Sequence, residues 1–524
     1  MNVPQNHSRS PQRWSRPAQA GVALLSTALM LSACSGGSSS SSSSVSGPVT
    51  IAQGVDPTTM NPLQQRETST SNVLRHMYDP LVTRNPKDPS KYEPDLATSW
   101  KQVDAITYEF TLADGVKFSD GSTFDAADVK YTVDAMLGTA TGKPTLHASN
   151  FKGLKGAEVV DAHTVRFLMS TPSPLFMPRL PNLFMIPEGS LDADPAALDS
   201  KPIGTGPYTL KTWDRNSQVV LDSRSDYFRG AARIPSVTFK TIADNSARMA
   251  GLGSGDIDLV TNLAPDSVPE VEGAGNAVVK QSPSARIATI WLNTRTEGPL
   301  QNRDVRLAMN HAVDMDTIIK TVMGGYGSRV ATFTPDYFVG YDEANKPLKY
   351  DPELAKKLLA DAGYADGFSM EMMVPAGRYP FAEQVSQAIQ SNLAEVGIKV
   401  KLNIVEFGVF ADATNSGNVP ESYYAAYGNS TFNPIAEYLL AARTGKSGYS
   451  LYSDPSLDAL IDQAAVTVDP TQQDALISQV EKKLLADAPF LYLYSQVDLY
   501  GVSQRLVWEP SVDESVYMYD AETK

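Results

Sequence analysis

Histidine and cysteine supply many nucleophiles, bases and metal ligands, and this chain has few of them: five histidines and one cysteine in 524 residues. His76, His147, His163 and His311 are scattered, with no His-Glu-x-x-His and no cysteine cluster to give metal-ligand spacing. Two stretches approach a phosphate-binding loop. Gly138, Gly142 and Lys143 are one residue short between the glycines and are followed by Pro144, whereas Gly445, Lys446 and Ser447 have Leu440 where the leading glycine belongs. Ser254, between Gly253 and Gly255, lacks the spacing of a nucleophile elbow. These residue patterns argue against an enzyme and against a metal or other cofactor.

The one remaining reactive group is the Cys34 thiol. Arg9, Arg13 and Arg16 precede an apolar run over residues 21–31 that is too short to span a bilayer. The run ends in Leu31, Ser32, Ala33 and Cys34, which resembles the bacterial lipobox. Residues 1–33 therefore read as a lipoprotein signal peptide, and Cys34 as a diacylated N-terminus. Several acyl chains, at about 0.8 kcal/mol per buried CH₂, hold stably where one would not. Residues 34–47 are almost entirely serine and glycine after the cysteine, a composition that cannot bury a core and serves as a tether. The expected location is the extracytoplasmic face of a bacterial membrane, anchored without spanning it.

The elements that could position a site lie beyond the tether. The chain has 44 basic and 59 acidic side chains, a net charge of −15, so no nucleic-acid partner is expected. One cysteine permits no internal disulfide, and stability must come from core burial in two or three domains. Residues 49–53 and 108–112 read as strands. Ala126, Val129, Val133 and Met136 mark one face of a helix over 126–137. Asp351 and Pro352 open a helix carrying Leu354, Leu358 and Leu359, with Gly363 at its end. A helix over 383–396, a stop at Gly397 and a strand over 398–405 make the helix-turn-strand unit that a parallel sheet needs. The alternation indicates α/β architecture.

Several segments carry a family resemblance. Pro94, Asp95, Leu96, Ala97, Thr98, Ser99 and Trp100 form a Pro-x-Leu-Ala-x-Ser-Trp signature, followed by Gly115, Val116, Lys117, Phe118, Asp120 and Gly121. Gly204, Thr205, Gly206, Pro207 and Tyr208 come next, then Asn293, Thr294, Asp304, Val305, Arg306, Ala308, Ala312 and Asp314, and last Asp487, Ala488 and Pro489. In this order they resemble the dipeptide/oligopeptide/nickel class of ABC-importer binding proteins, solute-binding family 5. The resemblance implies a two-lobed, type II periplasmic-binding-protein-like α/β fold that closes on a solute and presents it to a permease/ATPase complex, as a monomer. The first lobe would hold residues 48–284 and 491–524, with an extra subdomain near 87–200, and the second 285–490. Most matched residues read as scaffold, with Trp100 in the core and Arg306 ion-paired to Asp304 or Asp314.

Peptide-binding members of that family hold the ligand's ammonium with an Asp four residues before a proline that here matches Pro434. That position is Ser430, and Tyr427 stands where they have a pocket Trp. Where oligopeptide binders place a Glu after the opening loop proline, matched here by Pro62, this chain has Arg66. A carboxylate is lost and a guanidinium gained, which disfavours a buried ammonium and favours an anionic or neutral polar solute. Arg378, Tyr379 and Arg286 are further candidate contacts, as are Tyr424 for stacking and Asn429 for orientation. An oligopeptide or dipeptide carrier with a divergent site, and a ligand-sensing receptor on the same fold, remain open alternatives.

Overall fold

The computed structural model describes residues 46–65, 67–445 and 448–524. Two long antiparallel strands, Ala277–Leu292 and Phe490–Ser503, form its spine. Ala277 to Pro283 pair with Ser503 to Val497, and Ile287 to Trp291 with Ser495 to Phe490. Between these runs Ser284, Ala285 and Arg286 face Gln496 alone. The extra residues bulge and bend the spine, beside a proline that has no N–H to give to the ladder.

The core divides at this bend. On one side, Val49–Gln53 pairs in parallel with Ser236–Thr241 and Leu259–Val260, and the sheet continues through Gln218–Ser223 to Tyr208–Asp214. Its apolar residues, including Ile51, Val219, Leu221 and Phe239, form one core with Phe110, Val165 and Phe167 from a separate four-stranded sheet. That second sheet comprises Ala97–Asp104, Thr107–Leu112, Thr164–Met169 and Leu154–Asp161. The helix Ala126–Leu137 lies against it, starting at Asp125 in a capping box with Asp128 and ending at Gly138 with φ +83°.

On the other side, alternate residues of the spine enter opposite cores, as period-two side chains must when both faces of a sheet are covered. Ala288, Ile290 and Leu292 pack with helices Arg303–Ala312, Pro352–Asp361 and Ala382–Glu395. Ile287 and Trp291 pack with helices Pro455–Ala464 and Pro470–Asp487. Phe368–Pro375 and Ile398–Val405 run parallel in this half, joined through the helix Ala382–Glu395. Gly397 turns at φ +92°, and a Cβ on the facing Gly367 would overlap the Gly397 carbonyl.

The family-matched segments have structural roles. A side chain at Gly204 or Gly206 would collide with the Met77 backbone, and Gly206 and Tyr208 donate N–H bonds to the Met77 and His76 carbonyls at 2.9 Å each. Trp100 is only half-buried, packed against the rim of the first core. The expected Arg306 ion pair is replaced by another arrangement. Its guanidinium donates to the carbonyls of Leu300, Gln301 and Asp487 at 2.6–3.1 Å. Asp487 is the last residue of the helix Pro470–Asp487, so the cation sits where helical carbonyls lack intrahelical partners.

Candidate functional site

The strand Ser422–Gly428 leads into a loop that its own side chains hold rigid. Asn429 receives the Thr431 N–H at 3.1 Å and donates its amide to the Asn433 carbonyl at 2.9 Å, while its backbone N–H reaches Ala285 at the bend. Asn433 in turn accepts from the Ile435 N–H and donates to Gln473. These bonds force Phe432 to φ +53°, a conformation that costs a bulky residue about 1–3 kcal/mol. Ser430 is left exposed at the tip.

Arg84, only 8% exposed, joins this loop to the first half of the molecule. Its guanidinium donates to the Pro178 carbonyl at 2.7 Å and the Ser430 carbonyl at 3.1 Å, bonds Pro89, and lies 4.9 Å over the Phe432 ring. Beside it is a cavity of about 270 Å³ walled by both halves. His147, Asn150, Phe151, Arg179 and Asn182 line it from the first half; Gly428, Asn429, Ser430, Thr431, Ala436, Glu437 and Leu440 line it from the second. Glu437 is 6% exposed, and one of its carboxylate oxygens has no hydrogen-bond partner. Burial pushes its carboxyl up to about 7. Burial also lowers Arg179, to about 10, which leaves it charged at neutral pH.

A charged cluster extends the cleft toward the bend. Arg286 Nε lies 3.4 Å from Glu514, which also accepts from Ser284 at 3.1 Å and from Thr68 at 3.4 Å. Burial works against the Arg286 charge, but Glu514 and then Asp498 hold its pKa above the ordinary value. Arg378 lies 5.2 Å from the Tyr379 ring and 5.3 Å from Phe407; desolvation and then the Arg286 charge lower its pKa. A larger cavity, of about 470 Å³, is walled by the first half alone around Asp79, Asp95 and Arg229. A closing motion between the halves would not enclose a solute there.

Of the residues expected to bind ligand, Asn429 and Ser430 line the shared cavity. The Asn429 side chain is occupied by its own loop. Arg286, Arg378 and Tyr379 gather in the adjoining cluster, and Tyr427 packs edge-on against Trp291 and Tyr449 beside them. The expectation for Tyr424 is corrected: it is fully buried, and its hydroxyl lies 2.7 Å from that of Tyr494, so it belongs to the core. Arg66, Cys34, the signal peptide and residues 34–45 of the tether lie outside the described residues. Gln65, next to Arg66, has its amide nitrogen 3.1 Å from His147 on the cavity wall.

Sequence reasoning missed Arg84, Arg179 and Glu437. Arg179 and Glu437 did leave a signal, because each is the one charge in an apolar run, 174–187 and 434–442. A lone charge so placed must find a partner, pay for burial, or meet a ligand.

Known proteins resemble this chain over most of its length. The model of bacterial extracellular solute-binding proteins, family 5, middle part, matches residues 91–448. The glutathione-binding protein GsiB of Salmonella paratyphi A is 28% identical over 463 residues, covering 85% of this chain and 88% of that protein. The periplasmic binding protein DppA of Helicobacter pylori, solved with the peptide STSA, superposes with a TM-score of 0.75 at 26% identity, covering 91% and 98%. NikA of Brucella suis, solved with Fe(III)-EDTA, gives 0.81 at 25% identity, covering 91% and 100%.

Proposed function

The chain belongs to the bacterial extracellular solute-binding proteins, family 5, the extracytoplasmic binding components of ABC importers, and from that premise we propose that it captures a small anionic or neutral polar solute, not a peptide held by its free amine. Members of this family are transport binding proteins, not enzymes, and have the two-lobed type II fold. We place the first lobe at residues 48–284 and 491–524, its subdomain near 87–200, and the second lobe at 285–490. The spine strands cross between the lobes at Pro283 to Ile287 and at Val497 to Ser495, and these crossings act as the hinge.

One observation carries the ligand reading: the 270 Å³ cavity is walled by both halves and includes Ser430, which by the family resemblance takes the position of an ammonium-binding carboxylate. Solute contacts from both walls favour the closed state, which the importer distinguishes from the open one. The volume falls just below the usual range of about 300–1,000 Å³ for small-molecule sites, which suits a small solute. The acidic composition suits an exported protein, the lipobox-like segment ending in Cys34 supports a lipid anchor, and we take the protein to act as a monomer.

Calorimetry tests the ligand reading. Free dipeptides and tripeptides should bind weakly, with acetylation of the amine costing nothing; tight binding abolished by acetylation would establish a peptide carrier instead. The anchor is tested by labelling with radioactive palmitate, which should enter the wild type and be lost from Cys34→Ser.

A further inference from the structure

Arg179 lines the shared cavity from the first half of the molecule and Glu437 from the second. Among the described residues Arg179, which is partly exposed, makes no side-chain hydrogen bond or ion pair, and Glu437 has one buried, unpartnered oxygen at 6% exposure. Burying a charge without a partner costs several kcal/mol, whereas a guanidinium facing a carboxylate or phosphate gains a forked, charge-assisted pair. Glu437 ends the short helix Ile435–Glu437, which continues as a π-helical turn over Tyr438–Ala442, a locally irregular backbone on the cavity wall. The other ionisable wall residue is His147.

We propose that Arg179 anchors an acidic group of the solute from the first lobe, while Glu437 hydrogen-bonds a neutral polar group of the same solute from the second. This deepens the reading above and rests on it. An incoming anion favours the neutral form of a nearby carboxyl, and burial already drives Glu437 in that direction. The neutral carboxyl can donate one hydrogen bond and accept another, which suits a hydroxyl or amide. Because the two contacts come from different lobes, a solute satisfies both only when the cleft is shut.

The test is a thermal-shift screen of the whole protein against short carboxylic acids, N-acetyl amino acids and acetylated dipeptides, each paired with its methyl ester, and against amino-acid amides as cationic counterparts. Acids should stabilise the protein where their esters do not. Calorimetry on the best acid should show affinity falling roughly 30-fold in Arg179→Met, the size of a lost charge-assisted pair, and less than about threefold in Glu437→Gln. Arg179→Met removes a charge with no protein partner, so the variant should fold with at least wild-type stability. The proposal fails if acids give no shift, if Arg179→Met binds them as well as wild type, or if amines bind and Glu437→Gln abolishes that binding. In the last two cases the cleft still captures solute and only this assignment falls. If acids bind through Arg179 but small-angle scattering shows no compaction, the anchor stands and capture by closure falls.

Discussion

Replacing Arg84 by alanine removes the clasp between the lobes, and the structure indicates how much the closed state should lose. Arg84 bonds Pro89 and Pro178 within the first lobe, whereas its bond to the Ser430 carbonyl at 3.1 Å and its stacking on Phe432 at 4.9 Å cross the cleft. Only the crossing contacts distinguish shut from open. A hydrogen bond from a charged donor contributes roughly 1.5 kcal/mol and a partly desolvated cation–π contact roughly 1, so the closed state should lose about 2.5 kcal/mol. If binding requires closure, that raises the apparent Kd about 60-fold, mainly through faster release. Calorimetry on the best stabilising acid measures the affinity, and small-angle scattering of the free protein should show expansion. Arg84→Lys keeps a charge near Phe432 but lacks the planar, spread donors of the guanidinium, and should fall between the two. A Kd within threefold of wild type in Arg84→Ala, with unchanged scattering, would refute the clasp.

Other consequences are equally direct. Asp498 is 7% exposed beside the bend in the spine, and burial followed by the Glu514 charge pushes its carboxyl up to about 7. A carboxyl raised in the folded state binds its proton more tightly there than in the unfolded chain, so its contribution is fully present below about pH 4 and is lost as pH rises to about 7, at up to about 1.4 kcal/mol per pH unit. Urea titrations from pH 5 to 8 should show that loss, and Asp498→Asn should flatten it; an unchanged slope would contradict the assignment. Gly206→Ala puts a Cβ 2.5 Å from the Met77 carbonyl carbon and should cost about 2–3 kcal/mol by urea titration, whereas a cost under about 0.5 would show that the loop gives way. Tyr424→Phe leaves the Tyr494 hydroxyl buried without its partner and should cost about 1–3 kcal/mol with no change in solute affinity; a tenfold affinity loss would return Tyr424 to the site.

Local pattern located many elements because it reflects local physics. The strand over 398–405 and the helix over 126–137 emerge with the bounds read from apolar spacing, and the helix expected over 383–396 spans Ala382–Glu395. The site was harder to read. Ser430 was legible because it departs from a family pattern, but Glu437, seven residues on, reaches the cavity through a tertiary turn that no spacing rule describes. Arg84 and Arg179 lie some 250 to 350 residues from the loop they face, and only the fold brings them there. The Arg306 expectation failed for a similar reason. Its sequence neighbours offered carboxylates, while the end of a distant helix offered carbonyls in better geometry.

The most direct test of capture between the lobes is native mass spectrometry of the exported protein as purified, comparing wild type with Arg84→Ala and Arg179→Met. One small acidic solute is expected bound per chain in the wild type and lost from both variants. A solute retained equally by all three, or a wild type that carries none and takes up none of the acids, would contradict capture between the lobes.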